Sequence, residues 1–105
     1  MRAAVCRAFG RPLSIEELAI AAPERGEVRV RLSACAICHS DIMFADGAWG
    51  GDLPAVYGHE ASGIVESVGV GVTDLGVGDH VVVTLIRSCG HCSYCTRSIE
   101  TQCEG

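Results

Sequence analysis

Four closely spaced cysteines near the end of the chain constrain its fold more than any other feature. Two residues separate Cys89 from Cys92 and Cys92 from Cys95, and Cys103 follows after seven more. A two-residue gap lets consecutive thiolates converge on one ion, and four thiolates fill the tetrahedral shell of a structural zinc. The spacing therefore predicts a zinc lobe over residues 88–105. Because such a shell has no open position, metal chemistry requires a second site upstream.

Length and charge limit the possible functions. The 105 residues suffice for one domain with a modest core. The net charge of −5, with eight scattered arginines and no lysine, argues against a nucleic-acid partner and excludes Schiff-base chemistry on a lysine. Seven cysteines without a recognisable secretion signal or membrane span favour bound metal over disulfides and predict a cytoplasmic protein.

Hydrophobic periodicity and glycine positions predict a mainly β domain. Residues 27–34 alternate between apolar and polar side chains, which is typical of a half-buried strand. A short helix that ends at Ala45 is expected to be capped by Ser40 and Asp41. Several short strands joined by glycine turns favour a small, partly open β-barrel. Strands are predicted over residues 3–9, 13–20, 27–34, 61–72 and 81–83, the last of them buried.

Two short motifs upstream of the cysteine array could provide the open metal site. Cys38 offers a thiolate, and His59 offers an imidazole; a catalytic zinc needs a third ligand and a vacant position as well. Asp41 could hold the second ring nitrogen of His59 and so fix its tautomer. Glu60 could act either as a charge near the metal or as a ligand. The alternative is a small buried side chain at Cys38 and a solvated ring at His59.

Other residues with suitable side chains are interpreted as structural. Cys35 precedes Cys38 with the spacing of a redox pair, but it ends an alternating strand, whereas redox pairs occur near a βαβ unit. Cys6 is assigned to the core of the first strand, and His91 lies inside a cysteine array that is already complete. Trp49 has two interpretations, a wall of a substrate pocket or packing within its own loop.

Two glycine pairs, Gly69-x-Gly71 and Gly76-x-Gly78, resemble part of a nucleotide-binding loop. Asp74 stands where the loop requires its third glycine, and no helix or βαβ unit is predicted after either pair. We therefore expect no dinucleotide-binding half in this chain.

Together, these motifs resemble the N-terminal, GroES-like catalytic domain of zinc-dependent alcohol dehydrogenases, in the medium-chain dehydrogenase superfamily. Residues 58–63, followed by Gly69 and Val72, have the form of the family's zinc signature. Residues 68–73 and 78–81 match the turn and strand that follow in family members. The resemblance covers nearly the whole of residues 1–105 and implies a GroES-like, partly open β-barrel with a short helix and a C-terminal four-cysteine zinc lobe.

The resemblance also implies two zinc sites. Cys38 and His59 would bind the catalytic zinc, Asp41 would orient His59, and Glu60 would lie just behind the metal. The structural zinc would be held by the four terminal cysteines, Cys89, Cys92, Cys95 and Cys103.

The activity implied by the resemblance is oxidation of a small alcohol to an aldehyde or ketone by zinc-assisted hydride transfer to NAD or NADP. Ser40 would hydrogen-bond the substrate hydroxyl and begin its proton relay, and His39 would lie near the coenzyme pyrophosphate. The full-length enzyme is expected to be a homo-oligomer with no nucleic-acid or membrane partner.

The sequence departs from the family in two respects. Liver-type members carry a relay histidine five residues after the ligand cysteine, where this chain has Met43. The later cysteine ligand and the Rossmann coenzyme domain are also missing, so the chain is interpreted as a fragment that is inactive alone and exposes an apolar face. The alternative is a non-enzymatic zinc-binding module used for assembly or binding. A zinc-ribbon nucleic-acid binder and a thiol-redox protein using Cys35 are weaker alternatives.

Overall fold

A computed structural model describes all residues, 1–105, and shows a mainly β domain with one short helix. Two short 3₁₀ turns, Cys95–Arg97 and Glu100–Gln102, lie in the cysteine-rich end. These features confirm the predicted fold class. The regular elements in chain order are β1 (Arg2–Val5), β2 (Ser14–Glu17), β3 (Val28–Cys35), α1 (His39–Ala45), β4 (Ala61–Val68) and β5 (His80–Val83).

Strands β1 and β2 form an antiparallel hairpin, in which Arg2 pairs with Glu17 and Val5 with Ser14. Both strands are shorter than predicted. The first one ends because Cys6 leaves the hairpin and pairs with Ala55 instead, through backbone hydrogen bonds of 2.8 and 3.0 Å. The buried side chain of Cys6 confirms its assignment to the core.

The remaining strands form an antiparallel sheet in the order β3–β4–β5. The predicted strand over residues 61–72 ends at Val68, because the chain then passes close to an earlier turn. The amide of Gly69 donates to the carbonyl of Glu27 at 2.8 Å. A Cβ at Gly69 would lie 1.7 Å from the carbonyl oxygen of Glu24. Only glycine permits this approach, which ends the strand.

Burial differs from the sequence prediction at both edges of this sheet. The central strand β4 is buried at Ala61, Gly63 and Val65. The half-buried strand predicted over residues 27–34 is confirmed as the strand β3. Only the first half of β3 is partly buried, however, and its second half is exposed. The strand over 81–83 is also confirmed, whereas its predicted burial is wrong, since Val82 is 75% exposed. Both discrepancies have one cause: no second layer covers these edge strands.

The two sheets do not close into a complete barrel. Six of the 105 residues are buried, and many large apolar side chains are exposed. The radius of gyration is 15.7 Å, whereas a compact domain of this length has about 13 Å. The predicted partly open barrel with an exposed apolar face is therefore confirmed. No helix in the structure combines the length and apolar character needed to cross a membrane.

Helix α1 begins directly after Cys38 and is capped by Asp41. The Asp41 carboxylate accepts a hydrogen bond from the Cys38 amide at 3.0 Å, which is half of a capping box. The predicted cap at Asp41 is confirmed, and the one at Ser40 is wrong. Ser40 lies inside the first turn, and its hydroxyl contacts the ring of His59 instead of a backbone amide of the helix.

Candidate metal centres

The first candidate centre lies where the start of α1 meets the residues before β4. The sulfur of Cys38, a ring nitrogen of His59 and a carboxylate oxygen of Glu60 lie within 4.8 Å of one another. Cys38 and His59 are partly buried, whereas Glu60 is exposed. Two elements 21 positions apart thus place a thiol, an imidazole and a carboxylate around one point.

Asp41 connects the two parts of this centre. One carboxylate oxygen accepts from the Cys38 amide, and the other lies 3.2 Å from Nδ1 of His59. The Asp41 side chain is only 14% exposed. A carboxylate at Nδ1 favours the tautomer that carries its proton there, so Nε2 keeps its lone pair for a metal or a proton.

The groups around His59 Nε2 define the open side of the centre. The Ser40 hydroxyl lies 3.4 Å from Nε2, and a Glu60 carboxylate oxygen lies 3.6 Å away. Ser40 thus contributes a hydroxyl to the centre instead of to the helix cap. The sequence left two roles open for Glu60, a charge near the metal or a metal ligand. Because a carboxylate oxygen of Glu60 lies close to the Cys38 and His59 donor atoms, the ligand role is geometrically possible.

The donor set fits a catalytic zinc. Ligand atoms in a tetrahedral zinc site are separated by about 3.5 Å, given metal–ligand bonds of about 2.0–2.3 Å. The three atoms here lie within 4.8 Å of one another, so small side-chain rotations suffice to enclose an ion. Three protein donors of the sulfur, nitrogen and oxygen types leave a fourth position free for a small molecule.

A groove of about 620 Å³ opens beside this centre. Its polar lining residues are His59, Glu60, Ser62 and Thr84, and the remainder of its wall is apolar. A small apolar molecule with one polar group could therefore lie with that group toward His59. The apolar lining residues are Ala34, Ala36, Ala61, Val82, Val83, Leu85 and Ile86.

Three further residues singled out in the sequence lie around α1. His39 is exposed in the first turn, with no hydrogen bond or ion pair from its ring. Met43 is partly buried within the helix. Trp49 packs edge-on against Phe44, with ring centroids 4.9 Å apart, and Phe44 stacks on Tyr57, with ring centroids 5.8 Å apart. Trp49 is not part of the groove wall, and its ring packs on the helix before its loop, so the structure favours the packing interpretation.

The second candidate centre is formed by the four terminal cysteines. The sulfur atoms of Cys89, Cys92, Cys95 and Cys103 lie within 4.8 Å of one another. Backbone amides point at these sulfurs: the Cys95 amide donates to Cys92 at 3.4 Å, and the Cys89 amide donates to Cys103 at 3.2 Å. The loop is therefore folded so that peptide N–H groups stabilise thiolates.

Backbone amides lower the pKa of two thiols in this lobe, and burial raises the pKa of a third. The amide of Cys95 lowers the pKa of Cys92 to about 6. The amide of Gly105 likewise lowers the pKa of Cys103. Burial instead raises the pKa of Cys95 to about 12, because a charged thiolate is poorly solvated there. Four converging sulfurs, with amides that favour the anionic form, fit a closed structural zinc shell.

The neighbouring polar groups lie outside this shell. The Nδ1 atom of His91 lies 2.8 Å from the Cys89 carbonyl oxygen, so the ring is engaged with the backbone, in keeping with its assignment as a loop residue. Arg97 donates to the carbonyl of Ser93 at 2.9 Å and packs over the Tyr94 ring. These contacts hold the 3₁₀ turns of the lobe in place.

The remaining cysteine and histidine candidates join neither centre. Cys35 is exposed, and its thiol contacts the adjacent carbonyl of Ala36. It is absent from the donor group around Cys38. His80 begins the edge strand β5, and its ring has no hydrogen bond or ion pair. The structure thus groups Cys38 with His59 and not with Cys35.

Sequence reasoning missed one stabilising feature outside the two centres, the pairing of Arg7 with Glu16, which also accepts from Ser14. Arg7 lowers the pKa of Glu16 to about 2. The only sequence signal for the Arg7–Glu16 pair was the presence of opposite charges on two strands predicted to be neighbours.

Comparison with known proteins agrees with these features. The sequence profile of the family "Alcohol dehydrogenase GroES-like domain" matches residues 24–105. An alcohol dehydrogenase from Geobacillus stearothermophilus is 46% identical over 99% of this chain and 32% of its own length. Across the curated relatives that it matches, the chain spans 27–32% of their length.

Solved structures show the same similarity. An alcohol dehydrogenase zinc-binding domain protein from Burkholderia ambifaria superposes with a TM-score of 0.91 at 47% identity, covering 98% of this chain and 28% of that one. A protein described as an NAD-dependent alcohol dehydrogenase superposes with a TM-score of 0.85 at 40% identity, covering 99% and 32%. The chain therefore belongs to the alcohol dehydrogenase GroES-like domain family.

Proposed function

We propose that the chain is the zinc-binding part of the catalytic domain of an NAD(P)-dependent alcohol dehydrogenase that oxidises an alcohol to an aldehyde or ketone. The observation that carries this proposal is that the donor atoms of Cys38, His59 and Glu60 lie within 4.8 Å of one another beside a largely apolar groove. The family membership supports the same reaction class.

In this proposal, Cys38 and His59 hold the catalytic zinc. Asp41 keeps the proton of His59 on Nδ1 and directs Nε2 toward the metal position, as its 3.2 Å contact supports. Glu60 completes the set as a ligand or as a charge behind the metal. The ion supplies a Lewis acid that makes a bound hydroxyl more acidic and polarises a carbonyl group.

The proton of the substrate hydroxyl has an acceptor in Ser40. Its oxygen lies 3.4 Å from Nε2 of His59, on the open side of the centre. The side chain of Met43 cannot carry a proton onward, so in this proposal the proton would leave Ser40 by another route, such as water or the coenzyme ribose. His39 would meet the pyrophosphate of NAD or NADP, and its exposure on the first helical turn supports this role.

The second zinc has a structural role in this proposal. Cys89, Cys92, Cys95 and Cys103 fill its shell and leave no position for substrate. The expected partners of the full-length enzyme are a small alcohol or aldehyde, the coenzyme and further subunits. The seven free thiols favour a reducing compartment such as the cytoplasm.

Metal analysis of zinc-loaded protein tests the two sites separately. We expect close to two zinc ions per chain, of which His59→Ala removes one and Cys103→Ser the other. Cys35→Ser is the matched control and should keep both, because Cys35 joins neither donor group. Zinc held only by the terminal cysteines would contradict the catalytic site.

The reaction itself is tested in a longer protein that contains this sequence and a coenzyme domain. Formation of reduced nicotinamide from an alcohol, lost in the His59→Ala variant, is the expected result. A protein that binds zinc through the terminal cysteines and never reduces the coenzyme would instead favour the non-enzymatic zinc module. The closed four-cysteine site is the observation that makes this alternative worth testing.

A further inference from the structure

The segment that carries His59 is held at both of its ends by backbone hydrogen bonds. This segment comprises residues 55–60: its first residue pairs with Cys6, and its last accepts from the amide of Ala36 at 2.9 Å. Neither contact involves α1, the helix that begins after Cys38. The distance between the two candidate ligands therefore depends on side chains that join the segment to the helix.

Two side-chain contacts make this connection. The first is the 3.2 Å contact between Asp41 and His59. The second is a stack of the Tyr57 ring on Phe44 of α1, in which the ring centroids are 5.8 Å apart and the planes differ by 18°. Asp41 and Phe44 are three positions apart on the helix, so they lie on one face. Two contacts on one face fix the orientation of the segment, whereas one contact leaves it free to pivot.

Phe44 has a second aromatic neighbour, and the two neighbours differ in what they connect. The Trp49 ring meets Phe44 edge-on, with ring centroids 4.9 Å apart. Trp49 lies in the loop that follows α1, and this loop contains none of the candidate metal ligands. Tyr57, in contrast, lies two positions before His59. Loss of the Tyr57 ring therefore loosens a metal ligand, whereas loss of the Trp49 ring loosens only the loop.

We propose that Tyr57 is a positioning residue, whose stack on Phe44 keeps His59 close enough to Cys38 for both to bind one metal ion. This role rests on the proposed catalytic zinc, and it belongs to a residue outside the donor group and outside the wall of the groove. Neither aromatic ring offers a metal ligand, so its replacement changes the geometry of the centre and not its donor atoms. An aromatic pair contributes enough free energy to change an affinity about threefold to tenfold.

Cobalt titration tests this role in a chain whose terminal cysteines have first been loaded with zinc, a metal that thiolate sites favour. Cobalt then reports on the centre at Cys38 and His59. We expect Tyr57→Leu to weaken cobalt binding about threefold to tenfold and to alter the absorption of the cobalt–thiolate bond. Tyr57→Phe keeps the ring and is expected to match the wild type in both affinity and spectrum.

Two further variants separate this role from general packing. Phe44→Leu removes the other ring of the stack and is expected to have a similar effect. A variant that combines Tyr57→Leu with Phe44→Leu should bind no more weakly than the weaker single variant, because both changes remove the same interaction. Trp49→Leu is the matched control and should stay within about twofold of the wild type. Thermal unfolding and retained zinc at the terminal cysteines verify that each variant is folded.

Wild-type affinity in a folded Tyr57→Leu protein overturns the proposal, as does an equal loss in Tyr57→Phe or Trp49→Leu, or an additive loss in the combined variant. If Tyr57→Leu fails to fold, Phe44→Leu decides in the same way. A wild-type chain that takes up no cobalt beyond the zinc at its terminal cysteines contradicts the catalytic zinc and this role together. The two failures are distinguishable, because only the second appears in the wild type.

Discussion

Replacement of Asp41 perturbs the candidate catalytic centre without removing any donor atom. One oxygen of its carboxylate accepts from the Cys38 amide at 3.0 Å, and the other lies 3.2 Å from His59 Nδ1. Asp41→Ala therefore removes two contacts, the hydrogen bond that caps the start of the helix and the contact that orients the ring of His59. The expected result is weaker metal binding at this centre together with a less stable fold.

The magnitude follows from the two bonds. Loss of a helix cap costs about 1 kcal/mol, and loss of a hydrogen bond to a charged group costs about 1.5–3 kcal/mol. The Asp41 side chain is 14% exposed, so solvent screens these bonds only weakly. We expect Asp41→Ala to lower the free energy of unfolding by about 2–4 kcal/mol. Removing a carboxylate behind a histidine ligand lowers metal affinity about 10–100-fold.

Cobalt titration measures this effect, because thiolate coordination gives the ion a distinctive absorption. Asp46→Ala is the matched control, since Asp46 is an exposed aspartate at the other end of the same helix. Asp41→Asn offers one carbonyl oxygen in place of two carboxylate oxygens, so its affinity should fall between the wild type and Asp41→Ala. An Asp41→Ala protein with metal affinity within about twofold of the wild type would refute the positioning role.

Three further predictions concern the rest of the molecule. Gly69→Ala should destabilise the fold by about 1–3 kcal/mol in thermal or denaturant unfolding, because its Cβ would meet a backbone oxygen; Gly76→Ala, whose Cβ would have 3.9 Å of space, should not. Arg7 lowers the pKa of Glu16 to about 2, so the stabilisation that this pair provides is present above the carboxyl's ordinary pKa and is lost as the pH falls toward 2. In Arg7→Ala, an NMR titration should show Glu16 taking up its proton nearer its ordinary pKa; an unchanged midpoint would contradict the pairing. In the metal-free chain at pH 7, iodoacetamide should alkylate Cys92, with its pKa of about 6, before the buried cysteine of the same lobe, as read by mass spectrometry; the reverse order would refute the assignment.

Features set by local spacing could be predicted from the sequence. The cysteine spacing indicated a converging thiolate group, and the four sulfurs do lie together. Alternation over 27–34 indicated a strand, and β3 is that strand. Asp41 was expected at both the helix start and His59, and it contacts both. In each case the relevant geometry spans a few residues or follows from a family motif.

Features that depend on the surrounding layers could not be predicted in this way. Alternation reports that a strand has an apolar face, but not that another layer covers it, so Leu32 and Val82 are exposed despite their apolar pattern. The order of thiol pKa values depends on which peptide amides the loop turns toward each sulfur. The choice of Glu60 as a third donor depends on how the chain folds after His59.

The central claim is that Cys38 and His59 bind one metal ion. A crystal structure of the zinc-loaded chain, with anomalous diffraction recorded at the zinc edge, tests it directly. We expect a peak about 2.3 Å from the Cys38 sulfur and about 2.0–2.1 Å from His59 Nε2, in addition to one among the terminal cysteines. A peak at the terminal cysteines alone, from crystals grown in excess zinc, would contradict the claim.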